Sequence, residues 1–154
     1  MDYTNRQSTV VYIGSDHAGF SMKEKTAEYI RSLGYTVRDM GTDSEKSVDY
    51  PDYGVKVARM VRENNGSCGV IFCGTGIGIS IAANKVPEIR AALCTSEFHA
   101  EMARRHNDAN ILAMGARVSS FDEVKKMVNK WFSTPFDGGR HEKRVKKIHS
   151  LTGC

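Results

Sequence analysis

The residues best equipped for chemistry form one run, Cys-Gly-Thr-Gly-Ile-Gly-Ile-Ser at positions 73–80. It closes an uninterrupted apolar stretch, Cys68–Cys73, and opens a helix-forming one, Ile79–Asn84. Glycines at 74, 76 and 78 allow the chain to turn tightly. The N–H groups of Gly74, Thr75, Gly76, Ile77 and Gly78 can then converge on an anion, and the helix dipole adds positive potential. That potential also favours the thiolate of a cysteine held there, so Cys73 is a candidate base. A tight strand-to-helix turn with the thiol as packing needs the same residues, and the run alone leaves both readings open. A dinucleotide fingerprint would require a further glycine at 79 or 81, and both are isoleucine. A Walker loop is absent because no Gly-Lys-Ser/Thr follows.

Three smaller groups add to this. Ser15-Asp16-His17 ends another apolar run, where Asp16 either meets a sugar hydroxyl or caps a helix and His17 meets a phosphate or solvent. His106 and Asn107 end a helical pattern at Arg104–Asp108, where the helix dipole suits a histidine acting as general acid. His99 and His106 lack the H-E-x-x-H spacing, which argues against zinc. Arg140 and Arg144 lie one helical turn apart and match phosphate geometry. Residues 138–150 hold five Arg or Lys against one Glu, a surplus equal to the chain's net charge of +4. Such a cluster is either a solvated face or the partner of an anion. It lacks the interleaved aromatics of a single-strand binder, so nucleic acid is not expected.

The elements that must hold these groups alternate. Strand patterns fall at Thr9–Gly14, Tyr35–Met40, Cys68–Cys73, Arg90–Cys94 and Ile111–Met114. Helical patterns fall at Met22–Leu33, Pro51–Glu63, Ile79–Asn84, Glu97–His106, Phe121–Phe132 and His141–Leu151. The last carries Val145, Ile148 and Leu151 as an apolar stripe. Alternation of this kind predicts a Rossmann-like α/β/α sandwich of three layers around a five-stranded parallel sheet. Ligands in such sheets bind beyond the carboxyl ends of the strands, where the candidate residues fall. With 154 residues, 40% hydrophobic and 26% charged, the chain reads as one domain over 1–154 with a polar extension at 1–8 and a basic helix at 140–151. No apolar run approaches the ~20 residues of a membrane span. Without a signal-peptide pattern, a soluble cytoplasmic protein is expected. Of the four cysteines, Cys68 and Cys94 read as small buried hydrophobes, and disulfides are not expected.

The chain resembles the type B ribose-5-phosphate isomerases of the ribose/galactose isomerase family. The likeness rests on GSDHAGF (14–20), VDYPDY (48–53), CGTGIGISIAANK (73–85), RHNDAN (105–110), GARV (115–118) and GGRHEKR (138–144), in the family's order. It implies interconversion of D-ribose 5-phosphate and D-ribulose 5-phosphate through an enediol, with no metal or organic cofactor. It implies a homodimer or dimer of dimers whose active site is shared, the 106–117 stretch coming from the neighbour. Cys73 would move the proton, while Thr75 and the 74–78 amides stabilise the enediolate. His106 would open the furanose ring, and Asp16, Tyr50 and Asn107 would contact the sugar. His17, Arg117, Arg140 and Arg144 would hold the phosphate. Some relatives carry a glutamate where this chain has Ile79, so the resemblance indicates the cysteine variant. A hexose 6-phosphate as substrate and a non-catalytic phosphate-binding module are the competing readings.

Overall fold

The computed structural model describes residues 2–153; Met1 and Cys154 lie outside it. Its elements are β1 (Val10–Ser15), α1 (Phe20–Ser32), β2 (Thr36–Asp39), α2 (Tyr50–Glu63), β3 (Cys68–Cys73), α3 (Ile77–Ala83), β4 (Ala91–Leu93), α4 (Glu97–Asn107), β5 (Ile111–Gly115), α5 (Phe121–Ser133) and α6 (Arg140–Thr152). The five strands form one parallel sheet in the order β2-β1-β3-β5-β4. This is the expected architecture.

Every residue of β3 is buried, because helices cover both faces of the sheet at its centre. Side chains alternate between the two layers. Val70, Phe72, Leu112 and Met114 pack on one side with Ile30 of α1, Ala103 of α4 and Val124, Met127 and Trp131 of α5. Ile71, Cys73, Ile111 and Ala113 pack on the other with Val57, Ala58 and Val61 of α2 and Ile79 and Ala83 of α3. Cys73 thus faces α2 and α3. The strand order reverses beside β1, so the carboxyl ends of β1 and β3 frame a crevice.

Local chemistry sets the ends. Ser120 and Glu123 form a reciprocal capping box at α5, and Ser96 accepts from His99 N–H at the start of α4. Helix α3 begins at Ile77, two residues before the pattern predicts. Gly76 adopts φ +78°, a conformation that ends the loop at once, so Ile77 and Gly78 are the first helical residues. Within residues 2–8 one ring is buried although its neighbours are exposed. Tyr3 is buried against the Arg104 guanidinium, and Tyr35 Oη donates to its carbonyl at 3.0 Å. The stripe expected on α6 is also not the buried face. Ile148 and Leu151 are exposed, and α6 instead turns His141, Val145 and His149 inward, through a His106–His141 ring stack and an Arg90–His149 contact of 3.0 Å. The ring stack and the Arg90–His149 contact, with half-buried Val145 between them, seat this helix.

Candidate functional site

The structure separates the predicted residues into two groups. The first lies at the carboxyl edge of the sheet. Cys73 ends β3, its carbonyl accepts from Ala116 N–H at 2.9 Å, and Gly74 O accepts from Arg117 N–H at 2.9 Å. The parallel ladder therefore continues past both strands and sets Arg117 beside the glycine loop. A Cβ on Gly74 would lie 3.4 Å from Arg117 Nη1, which shows how closely the guanidinium covers this backbone. Gly76 N–H donates to Cys73 Sγ at 3.1 Å. The sulfur thus faces an amide donor at the mouth of α3. Thr75 is exposed at the loop tip, and its hydroxyl accepts from Ile77 N–H at 3.3 Å.

Tyr50 reaches this loop from the start of α2. A Cβ on Gly78 would meet its ring at 2.6 Å, so the phenol lies directly on that glycine. Asp16 follows β1, and its Oδ1 accepts from Gly19 N–H at 3.0 Å. Asp16 is therefore not the helix cap that its position allowed, since α1 is capped at Gly19 without a side-chain bond; it closes the turn before that helix, and its Oδ2 has no protein partner among the described residues. Gly19 is needed for close approach, since a Cβ there would fall 2.7 Å from Phe72 Cβ. His17 Nδ1 lies 3.2 Å from both Val48 N and Val48 O, which ties the 42–49 loop to the site. Ile79 is fully buried beneath the loop with α2, in keeping with its apolar type.

The second group lies at the opposite edge. Gly69 pairs with Ile111 and Cys73 with Gly115, so β3 and β5 run from the amino edge to the thiol. Helix α4 ends at Asn107, just before β5 begins. Four strand steps, about 13 Å, separate the level of its end from Cys73. Arg90 fixes that end by donating to Asn107 O at 2.9 Å and to Asp108 O at 2.7 Å. Here the His106 ring stacks on His141 with centroids 4.2 Å apart and planes 2° from parallel. Arg105 Nε donates to both carboxylate oxygens of Asp137, and Asp137 N–H donates back to Arg105 O at 3.0 Å. Arg140 and Arg144 rise beside them on α6, exposed. The Arg105 guanidinium holds the Asp137 carboxyl below its ordinary range. Desolvation, then the charges of His106, Arg140 and Arg144, hold the His141 imidazole below its own.

One chain therefore brings Cys73, Thr75, the loop amides, Asp16, His17, Tyr50 and Arg117 together, but not His106, Asn107, Arg140 or Arg144. The expectation that the whole 106–117 stretch comes from a neighbour needs correction. Arg117 lies against Gly74 of its own chain because β5 carries it across the sheet, and only the 106–107 end lies away. Sequence reasoning missed Asp137 and His141, which no local spacing links to His106. It read Cys68 and Cys94 correctly: both are buried, and burial pushes each thiol up to about 12.

Among the described residues, no helix is long and apolar enough to cross a membrane. A model of the ribose/galactose isomerase family matches residues 11–148. Ribose-5-phosphate isomerase B of Escherichia coli is 40% identical over 141 residues, covering 92% of this chain and 95% of that one. The structure of Clostridium thermocellum ribose-5-phosphate isomerase B superposes with a TM-score of 0.92 at 50% identity, covering 94% of this chain and 97% of that one. The Mycoplasma genitalium enzyme with bound ribulose 5-phosphate gives a TM-score of 0.92 at 36% identity, covering 96% and 98%.

Proposed function

Because the chain belongs to the ribose/galactose isomerase family, we infer that it is an aldose–ketose isomerase interconverting D-ribose 5-phosphate and D-ribulose 5-phosphate. The observation that carries this reading is the junction at Cys73, where one sulfur, the Gly76 amide that donates to it and the Arg117 guanidinium beside Gly74 meet at the end of a buried strand. The Cys73 thiolate removes the proton on C2 of the open-chain aldose. The electron pair of that C–H bond forms C1=C2, and the carbonyl electrons move onto O1. N–H groups of the 74–78 loop and the Thr75 hydroxyl bind this oxyanion, a type of contact worth ~3 kcal/mol per donor. The thiol then returns its proton to C1, while the O2 proton moves to O1 and O2 becomes the ketone. The atoms balance without an oxidant.

The remaining roles come from the amino-edge group of a second chain. In a homodimer, or a pair of dimers, His106 of one protomer would protonate the ring oxygen of a furanose bound at its partner's thiol. Arg140 and Arg144 would join His17 and Arg117 on the phosphate, with Asp16, Tyr50 and Asn107 along the sugar. Exposed Phe98 on α4, Ile77 and Ile81 on α3, and Val118 after β5 offer the apolar surface such an assembly would cover. The unpaired thiols at Cys68, Cys73 and Cys94 suit a reducing cytoplasm, and the substrate pair belongs to non-oxidative pentose phosphate chemistry. A coupled assay tests the reading. Ribose 5-phosphate should turn over much faster than allose 6-phosphate or galactose 6-phosphate, and Cys73→Ala should abolish turnover while phosphate binding persists. Faster turnover on a hexose phosphate would move the substrate assignment, and full activity in Cys73→Ala would end it.

A further inference from the structure

Around His106, three potential metal ligands converge that the isomerase reaction does not use together. His106 sits at the end of α4, Asp137 in the segment before α6, and His141 in the first turn of α6. One ligand atom from each lies within 4.8 Å of the other two. Sequence spacing gave no hint of this, because the three come from regions 31 and 35 residues from His106 and meet only when α6 folds back on α4.

We propose that His106, Asp137 and His141 form a binding site for a zinc-class divalent ion, and that occupying it inhibits the enzyme. Two imidazoles and one carboxylate are a donor set that favours zinc, nickel or copper over magnesium or calcium, which prefer oxygen ligands. The surrounding Arg105, Arg140 and Arg144 strengthen that preference, since only strong nitrogen coordination overcomes their repulsion of a cation. The ligand atoms are close, but the stacked His106 and His141 rings hold their in-plane lone pairs parallel, so the stack must open as the ion binds. Asp137 is gripped by Arg105 through both oxygens and keeps further lone pairs for a metal, as second-shell partners of metal carboxylates do. His141 Nε2 accepts from Arg140 Nε at 3.4 Å, a weak contact that a metal can displace. Ligand atoms around a tetrahedral zinc lie about 3.3 Å apart, so side-chain rotations suffice to close the site. Three protein ligands leave a fourth position open to water or to a substrate oxygen. The metal occupies the His106 nitrogen in place of the proton that the imidazolium would give to the ring oxygen.

Binding does not depend on the reaction assigned above, whereas inhibition does, and the experiment separates the two. Calorimetry of zinc into chelator-treated full-length protein should show one ion per chain. His141→Ala and Asp137→Asn should each weaken it at least tenfold, with the folded state retained by circular dichroism. Cobalt in place of zinc should give visible bands that disappear in the same variants. Cys73→Ser should bind zinc as the parent does. Zinc should slow isomerisation of the parent enzyme and a chelator should restore it. No zinc binding, or binding lost in Cys73→Ser but kept in His141→Ala and Asp137→Asn, would overturn the site. Binding at the site with full activity would overturn the inhibition alone.

Discussion

The two edges of the sheet are built on different physics. At the carboxyl edge the groups are mostly backbone: amides of a glycine loop, a thiol at a strand end and a guanidinium held by a ladder hydrogen bond. Their positions follow from the buried β3 and β5 beneath them, so this edge is rigid by construction. At the amino edge the groups are side chains of two helices, held by a ring stack and the Arg105–Asp137 pair, with much of their surface open. The proposed isomerase site draws on both edges, which stand at opposite ends of a strand, and the proposed homodimer would join them.

Four experiments can break or sharpen this contrast. Removing the base at the rigid edge has the largest effect: Cys73→Ala should lower kcat by roughly 10²–10⁴-fold in a coupled assay with the fold intact by circular dichroism. At the helical edge the loss should appear in binding. Arg140→Ala or Arg144→Ala should raise KM by roughly 10- to 100-fold with a smaller change in kcat, the cost of one charged contact. Mixing is the most direct test of a shared site. Cys73→Ala and His106→Asn chains should each be nearly inactive alone, yet after unfolding and refolding together they should recover about a quarter of wild-type activity, since half the dimers are mixed and each has one intact site. No recovery would place both halves on one chain. The smallest effect is in acid stability. With its folded value held below the ordinary one, His141 is protonated more readily in the unfolded chain. The melting temperature should therefore fall as pH drops below about 6.5, the ordinary histidine value, and His141→Gln should flatten that slope.

How much of this was legible in the sequence depends on the kind of contact. The uninterrupted CGVIFC run announces a strand buried on both faces, and the 73–80 run announces the loop after it, because both are local consequences of residue type. Helix starts were displaced by one or two residues where backbone geometry decides, as at Gly76. The seating of α6 was not legible. Val145, Ile148 and Leu151 form an apolar stripe by spacing, yet the buried face is set by aromatic and charged contacts to α4 from distant residues. Asp137 and His141 were invisible for the same reason. Tyr3, in a segment otherwise polar, gave no periodic signal because one buried ring has none.

That ring has a consequence for how the chain is made. Tyr3 precedes two of its partners in the chain, Tyr35 and Arg104, the second of them on the fourth helix. The ring therefore stays undocked until the chain has been translated through that helix. Its docking is a long-range event, so a dye or a protease site placed there reads that step of folding.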